Sequence, residues 1–406
     1  MRTKLSVSFL LLAGVAFLMF ICSCDNKTGE VSITDKPIAA FQKKLLDVAF
    51  ETATGIPVKP HIKDRSRTQA AVVETCLKLE QPKLASSYIE KIDNWQRGLC
   101  YANLAFYCAK SGLKKEALHY IELAGKIAEQ DHGQEWRNNR IKAKMAQTQT
   151  QVGQAGKADM LMQDLADSNS DEQARVQAKI DTEAPFEELV KSLDGAVSTN
   201  DFTMVRYALE VYARLFNRFY GDETRRSMIE EKIKTSWVKI PVIIRMELLF
   251  ELTDFALKHS DQKKAIEFVN DGNTFLDDGE WRLEHRVALI AKLSELRSRA
   301  GDIDKARADT DAALVLFNDK KNEIVNIYRA EAVRCLAQAY KSMGDTEASL
   351  SVYKQAVEEG VENPNSRPRA EDLSATCCSM ALYAVEPDAE LWTRIYQISE
   401  GLGKSW

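Results

Sequence analysis

Side chains able to do chemistry are sparse in this 406-residue chain and stand apart from one another. The five histidines, His61, His119, His132, His259 and His285, occur singly. There is no HExxH pair for zinc, no GxSxG nucleophile turn, and no GxxxxGK[ST] or GxGxxG phosphate loop. His285 beside Glu284, with Asp278 upstream, is half of a metal site. With no second His or Cys at ligand spacing it reads as a solvated helix start. The acidic run from Asp271 to Glu280 lacks the alternating oxygen ligands and central glycine of a calcium loop, and reads as a capped turn. Six cysteines follow the N-terminal region: Cys76, Cys100, Cys108, Cys335, Cys377 and Cys378. Cys100 and Cys108 lie about 12 Å apart along one expected helix, too far to bond, and Cys377–Cys378 are vicinal. The spacing is no disulfide framework, and small buried hydrophobes are the default for all six. No catalytic residue, metal or cofactor is expected.

One cysteine does carry an expectation of chemistry. Arg2 and Lys4 give a positive start, Val7 to Ile21 is almost purely apolar, and the run ends Ile21-Cys22-Ser23-Cys24 before Asp25. The apolar core has the length of a secretory signal. Its ending resembles the bacterial lipobox, with Cys22 standing where Ala, Ser, Thr or Val is usual. The resemblance implies removal of residues 1–23, lipidation at Cys24, and a place on a membrane of the bacterial cell envelope. An uncleaved anchor and cleavage without lipid are the alternatives; the missing A-x-A-like ending argues for the lipoprotein. Residues 24–36 are polar and unpatterned, as a tether would be.

What must position any site is helical. The chain is 45% hydrophobic and 28% charged with only 9 prolines, which fits a folded protein. A formal charge of −5 and pI near 5.8 give no electrostatic footprint for nucleic acid. No alternation suggests a sheet. The clearest stretch runs from Ala330 to Glu358, where Ala337, Tyr340, Gly344, Ser349, Tyr353 and Ala356 follow at offsets of 3, 4, 5, 4 and 3. Gly344 ends one helix without Cβ strain, Asp345 or Thr346 caps the next, and Ala337 leaves room for the two to cross.

These offsets resemble the tetratricopeptide repeat. Further copies carry Ala105, Gly112, Ala117 and Ala124; Ala146, Gly153 and Ala158; Ala256 and Ala265; and Leu293, Gly301, Ala306 and Ala313. Val73, Cys76 and Ala85 make a weaker first copy. Trp95 and Trp136 each stand 17 residues before a turn glycine, which supports the register. The expectation is an all-α solenoid of stacked antiparallel hairpins. An N-terminal helix and Pro-rich loop occupy 37–64, repeats occupy 65–370, and capping helices occupy 371–406. The stretch 168–237 matches worst, though Phe202 to Tyr220 reads as an apolar-aromatic helix.

The resemblance implies a function as well. In that family the first helices of the hairpins make a concave wall that holds protein or peptide partners. Its register puts Arg140, Gln147, Gln151, Glu247, Asp254, Lys258, Glu295, Arg299, Glu331, Arg334, Gln338 and Lys341 on the wall. The expected protein is a membrane-anchored scaffold or adaptor. A second reading is an all-helical envelope enzyme or sugar-binding array with scattered carboxylates and aromatics such as Trp237, Trp281 and Trp392. A third is a structural spacer.

Overall fold

The structure is a computed structural model and describes residues 33–130, 134–167, 185–199, 201–403 and 406. Cys24, its leader and most of the tether lie outside the described residues, as do 168–184. Among the described residues every regular element is helical: α1 (Ala40–Gly55), α2 (Val58–Lys78), α3 (Pro82–Ile89), α4 (Gln96–Lys110), α5 (Lys114–Gln130), α6 (Glu135–Gln151), α7 (Ala155–Asp167), α8 (Phe186–Val197), α9 (Phe202–Arg218) and α10 (Glu223–Ser236). The second half continues with α11 (Val242–Lys258), α12 (Gln262–Asp278), α13 (Leu283–Arg299), α14 (Ile303–Lys320), α15 (Asn326–Ser342), α16 (Thr346–Val361), α17 (Ser366–Leu382) and α18 (Ala389–Glu400). The chain is an all-α solenoid of antiparallel hairpins.

One turn geometry makes most of those hairpins. Glu80, Gly112, Gly153, Ser260, Gly301, Gly344 and Ala384 all have positive φ, between 50° and 96°. At the best-matched turn, Gly344 N–H reaches Lys341 O at 3.0 Å and Asp345 N–H reaches Tyr340 O at 3.1 Å. The same pair of bonds recurs at the other six, with Gln81 bonded back to Cys76 and Leu113 to Cys108. This is the Schellman ending, which satisfies carbonyls the helix leaves open and requires a left-handed residue. Asp261, Asp345 and Asp388 then cap the following helices by accepting a backbone N–H at 2.9 Å.

Six of the seven turns are followed, five residues on, by a buried small residue: Ala85, Ala117, Ala158, Ala265, Ala306 or Ser349. These sit where the second helix meets the first. Ser349 Oγ donates to Ala337 O at 2.8 Å, a contact that leaves no room for a larger side chain. Tyrosines tie one hairpin to the next: Tyr340 OH donates to Asp311 at 2.7 Å, and Tyr353 OH lies 2.7 Å from Ser379 Oγ. Trp95 and Trp136 meet edge to face at 5.2 Å, linking the two hairpins they open.

The seventh turn breaks the pattern, and the reason is the most consequential feature of the fold. The residue five after Ala384 is Ala389, and it is exposed. Helix α17 packs only lightly on its sequence neighbour α18; its hairpin partner is α1, from the other end of the chain. Gln42 Nε2 donates to Ala381 O at 2.7 Å, and Ser374 Oγ donates to Ala49 O at 3.0 Å. Thr52 and Ser399 hydroxyls lie 2.9 Å apart, and Lys44 Nζ sits 4.1 Å over the Trp392 ring. Arg367 reaches Asp64 at 3.2 Å. Helix α2 packs on α17 as well. One apolar core therefore includes Leu45, Leu46 and Cys76 together with Cys377, Met380 and Ile395.

Packing order thus differs from chain order. First helices succeed one another from α9 through α11, α13, α15 and α17 to α2, α4 and α6. Among the described residues, no comparable packing joins α6 or α7 to α8 or α9. Among the described residues the row therefore has its break in mid-sequence, while the region read as a C-terminal cap forms part of a seam inside it.

If α1 is the hairpin partner of α17, weakening it must loosen the far end of the chain. Leu46 is fully buried on α1. Leu46→Ala is expected to cost about 2–5 kcal/mol in denaturant unfolding. Hydrogen exchange should quicken in α17, 320 residues away from the change at Ser366. Unchanged protection of 366–382 would rule the partnership out.

Candidate functional site

The row of first helices carries the predicted wall residues, and the structure shows what each does there. Arg140 is exposed and lies 5.1 Å over the exposed Trp136 ring. Gln147 is buried and accepts from Lys144 Nζ at 2.9 Å, while Gln151 is exposed. Glu247 is exposed and stands 3.6 Å from Arg206 of the neighbouring α9. Asp254 pairs with Arg299 of α13 at 2.6 Å, and Lys258 is exposed. Glu295 is buried, 2.9 Å from Lys292 and 3.7 Å from Arg299. On α15, Glu331 is exposed, Arg334 donates to Thr376 at 3.3 Å and Gln338 donates to Ser379 at 2.8 Å. Lys341 turns to Thr346 of its own hairpin turn at 2.9 Å. Several of these groups stitch one first helix to the next. Such half-exposed pairs are worth only ~0–1 kcal/mol each, so an incoming ligand can exchange them at small cost.

A wide opening in the row lies at the seam. A groove of about 520 Å³ between α15, α17 and α2 is lined by Arg334, Gln338, Ser374, Cys378, Thr75 and Arg67. A second, of about 530 Å³, lies between α2 and α4 among Ala70, Glu74, Leu77, Leu99 and Asn103. The two share Arg67 and Ala71, so they form one trough across four first helices. Its floor is small because Ala71, Ala375 and Ser374 stand where the helices meet. Arg334 and Gln338 are the wall residues the sequence placed here; Arg67, Thr75, Ser374 and Cys378 it missed. Counting back from the turn residues finds all of them but Thr75. Glu331, Arg334 and Gln338 stand 13, 10 and 6 before Gly344, as Glu371, Ser374 and Cys378 stand before Ala384. An opening of similar size on the second-helix side is bordered by ion pairs: Lys354 with Asp388 and Glu390, and Arg394 with Glu358, at 2.6–2.8 Å.

The remaining candidates for chemistry do not converge. Trp237 packs edge-on against Phe275 at 5.2 Å, Trp281 donates to Leu276 O at 3.1 Å, and Trp392 stacks on Tyr396 at 5.9 Å, each in a different hairpin. Among the described residues, no group of three His, Cys, Asp or Glu is placed to hold a metal ion. Cys76, Cys100, Cys108, Cys335, Cys377 and Cys378 are free thiols. Burial pushes all of them up, Cys335 to about 11 and Cys100, Cys108 and Cys378 to about 12, so the thiolate needed for nucleophilic attack is scarce. No helix among the described residues is long and apolar enough to cross a membrane.

The comparisons add little to this geometry. No family model and no curated protein matches the chain. Among solved structures, it is similar to a "circular tandem repeat protein with novel repeat topology and enhanced subunit contact surfaces", at 14% identity. That match covers 89% of this chain and 94% of the other, with a TM-score of 0.25. The helices, turns and seam described above define the class on their own: a helical-repeat protein.

One titratable group beside the trough was invisible in the sequence. Asp372 on α17 packs against Gly360, where burial pushes its carboxyl up to about 7; Arg334 pulls it down, while Glu331 and Glu371 push it further up. Unfolded, it ionises near the ordinary aspartate value of 3.8. Its stabilising contribution is therefore complete below that value and lost as pH rises towards 7, by up to roughly 4 kcal/mol. Asp372→Asn should unfold at the same urea concentration as the parent near pH 4 and at a clearly higher one near pH 8. Parallel pH profiles for the two proteins would show that Asp372 is solvated.

Proposed function

We propose that the chain is a lipid-anchored, exported scaffold or adaptor that holds protein partners along its first-helix row, at the trough across the seam. The observation carrying this reading is the trough itself. It is long, open and floored by small side chains, with an arginine on each side and hydroxyls and amides between. That is the lining an extended peptide needs: backbone partners along its length and shallow room for side chains. The hairpin signature, which resembles the tetratricopeptide repeat, supports the same use. The lipobox-like ending at Cys24 supports a place on the bacterial envelope.

Two measurements test the reading. The address requires a diacylglyceryl-modified Cys24 as the mature N-terminus, readable by mass spectrometry. An intact Met1, or an unmodified N-terminus beyond Cys24, would refute it. The docking surface calls for charge reversal of Arg334 and Lys341, seven residues apart on α15. Crosslinked pull-downs from membranes should lose partners with this variant, and stability should shift by no more than ~0.5–1 kcal/mol. Lys263 on α12 is the control, since it is exposed and no ion pair holds it among the described residues. Lys354 is unsuitable, because it bridges Asp388 and Glu390. Recovery of the same partners would exclude this trough. A variant that instead lost turnover of a polysaccharide or peptide would favour the enzyme reading.

A further inference from the structure

The edge of the array that carries the turns is not uniform in charge. Each hairpin repeats the same up-and-down path, so the α2–α3 turn at Glu80 and the α4–α5 turn at Gly112 lie side by side. Tyr120 of α5 donates to Ser86 of α3 at 3.2 Å, tying the two second helices together within two turns of their starts. Six exposed lysines stand on this stretch of edge: Lys36, Lys78, Lys83, Lys110, Lys114 and Lys115. Lys36 pairs with Glu80 at 2.6 Å and Lys78 with Glu74 at 2.8 Å, while Lys110 lies 4.3 Å over the Phe106 ring. Among the described residues no ion pair holds Lys83, Lys114 or Lys115.

Residues 33–36, 78–83 and 110–116 hold those six lysines against Asp35, Glu80 and Glu116, a net +3 in a chain whose formal charge is −5. At the opposite edge of the same hairpins, residues 58–64, 90–97, 129–130 and 134–135 hold four cations against five acids. Across the seam the next turn, at Ala384, is acidic: Glu386, Asp388 and Glu390 face only Lys354, so the basic patch ends there. The chain joins the array at this patch. Lys36 N–H donates to Glu80 O at 3.0 Å, Gln81 Nε2 to Lys36 O at 2.6 Å, and Lys83 N–H to Asp35 at 2.7 Å. Ile33, buried beside them, is the first described residue and stands nine residues after Cys24. Covalent geometry limits that separation to about 30 Å.

We propose that the edge formed by the α2–α3 and α4–α5 turns rests on the membrane, its lysines among anionic phospholipid headgroups. This rests on the reading of Cys24 as the lipidated residue, because the lipid is what keeps the patch within reach of the bilayer. A negative surface attracts lysines that come within a Debye length, ~8 Å at physiological ionic strength. The lipid alone sets distance and leaves the array free to turn. The charge difference between its two edges then selects which one faces the headgroups. The turns lie at helix ends, so this contact stands the helices upright on the membrane. The trough then opens sideways, parallel to the surface, where a partner meets it without displacing lipid. An acidic protein would match the same charges, but only the membrane is held there by the chain itself.

The test is lysine acetylation read by mass spectrometry, on the full-length protein extracted from membranes and returned to vesicles of phosphatidylethanolamine and phosphatidylglycerol. Lys83, Lys110, Lys114 and Lys115 should react at least about threefold more slowly there than in detergent. Lys91, exposed just beyond the far end of α3, should react equally in both. Protection should fade in about 0.5 M salt and in vesicles of phosphatidylcholine alone. In the variant Lys83→Glu/Lys114→Glu/Lys115→Glu, Lys110 should lose its protection while the protein stays membrane-bound, with an unchanged circular dichroism spectrum. Equal reactivity of the four lysines in anionic and neutral vesicles would overturn the proposal. Protection seen in native membranes but not in purified vesicles would overturn it in favour of an acidic protein. The anchor fails separately. Release by a high-salt wash without detergent, from membranes where the four lysines were protected, would refute the lipid and leave the patch standing. Retention until detergent is added, with the four lysines unprotected, would refute the patch and leave the anchor.

Discussion

Packing of α1 against α17 is the contact on which the rest of the array depends. A single helical hairpin buries too little apolar surface to stand alone, so every hairpin must be covered on both sides by a neighbour. Solenoids usually meet this at their termini with a polar-faced cap. Here the last hairpin has no second helix of its own to complete it, since α18 touches α17 only lightly, and α1 fills that place. Leu45, Leu46 and Phe50 supply the apolar face, and Gln42 and Ser374 satisfy carbonyls across the joint. The stacked rings of Phe50 and Tyr88, 4.2 Å apart, carry the same core on into α3. Closing the chain on itself in this way joins the hairpins of both chain termini into one continuous core, at the entropic cost of joining distant ends. That cost grows only slowly with loop length.

How far the sequence could be read follows from the range of each interaction. The turns were legible because their causes are local: a left-handed residue, a small residue five positions later and an acidic cap all lie within one short window. Gly112, Gly153, Gly301 and Gly344 were found for that reason, and each has positive φ. Glu80, Ser260 and Ala384 adopt the same conformation without glycine, so residue type hid them. The seam was not legible at all. Gln42 and Ala381 are 339 residues apart, and nothing in the apolar pattern of α1 says which far helix it covers. Treating α17 as a cap then hid Glu371, Ser374 and Cys378 from the wall, although they obey the same register as Arg334 and Gln338.

The charges on the first-helix row also look different once their partners are known. The wall residues read from the sequence carry both signs. In the structure much of that mixture is internal, with Arg206 paired to Glu247, Asp254 to Arg299 and Glu295 to Lys292. The first two pairs link neighbouring first helices and the third lies within α13; the partly exposed ones gain little against water. The informative positions are those where pairing is incomplete or small residues open the surface. Among the described residues, Arg334 at the trough donates to a hydroxyl, and Arg214 has a buried nitrogen with no hydrogen-bond partner.

Those two arginines sit in contrasting mechanical settings. Arg334 stands beside the seam, where four first helices meet and α1 locks the core behind them. A partner lying in the trough would bridge hairpins that the chain already holds together, so binding there needs little rearrangement. Arg214 stands on α9, where the apolar cluster of Phe186, Tyr212 and Phe216 is separate from the core of the seam. Among the described residues, α9 has a first-helix neighbour on one side only, α11. The trough thus lies where each first helix is flanked by two others, while Arg214 stands on a helix that the described row covers from one side, although its packing on α11 is as close as that of α17 on α2.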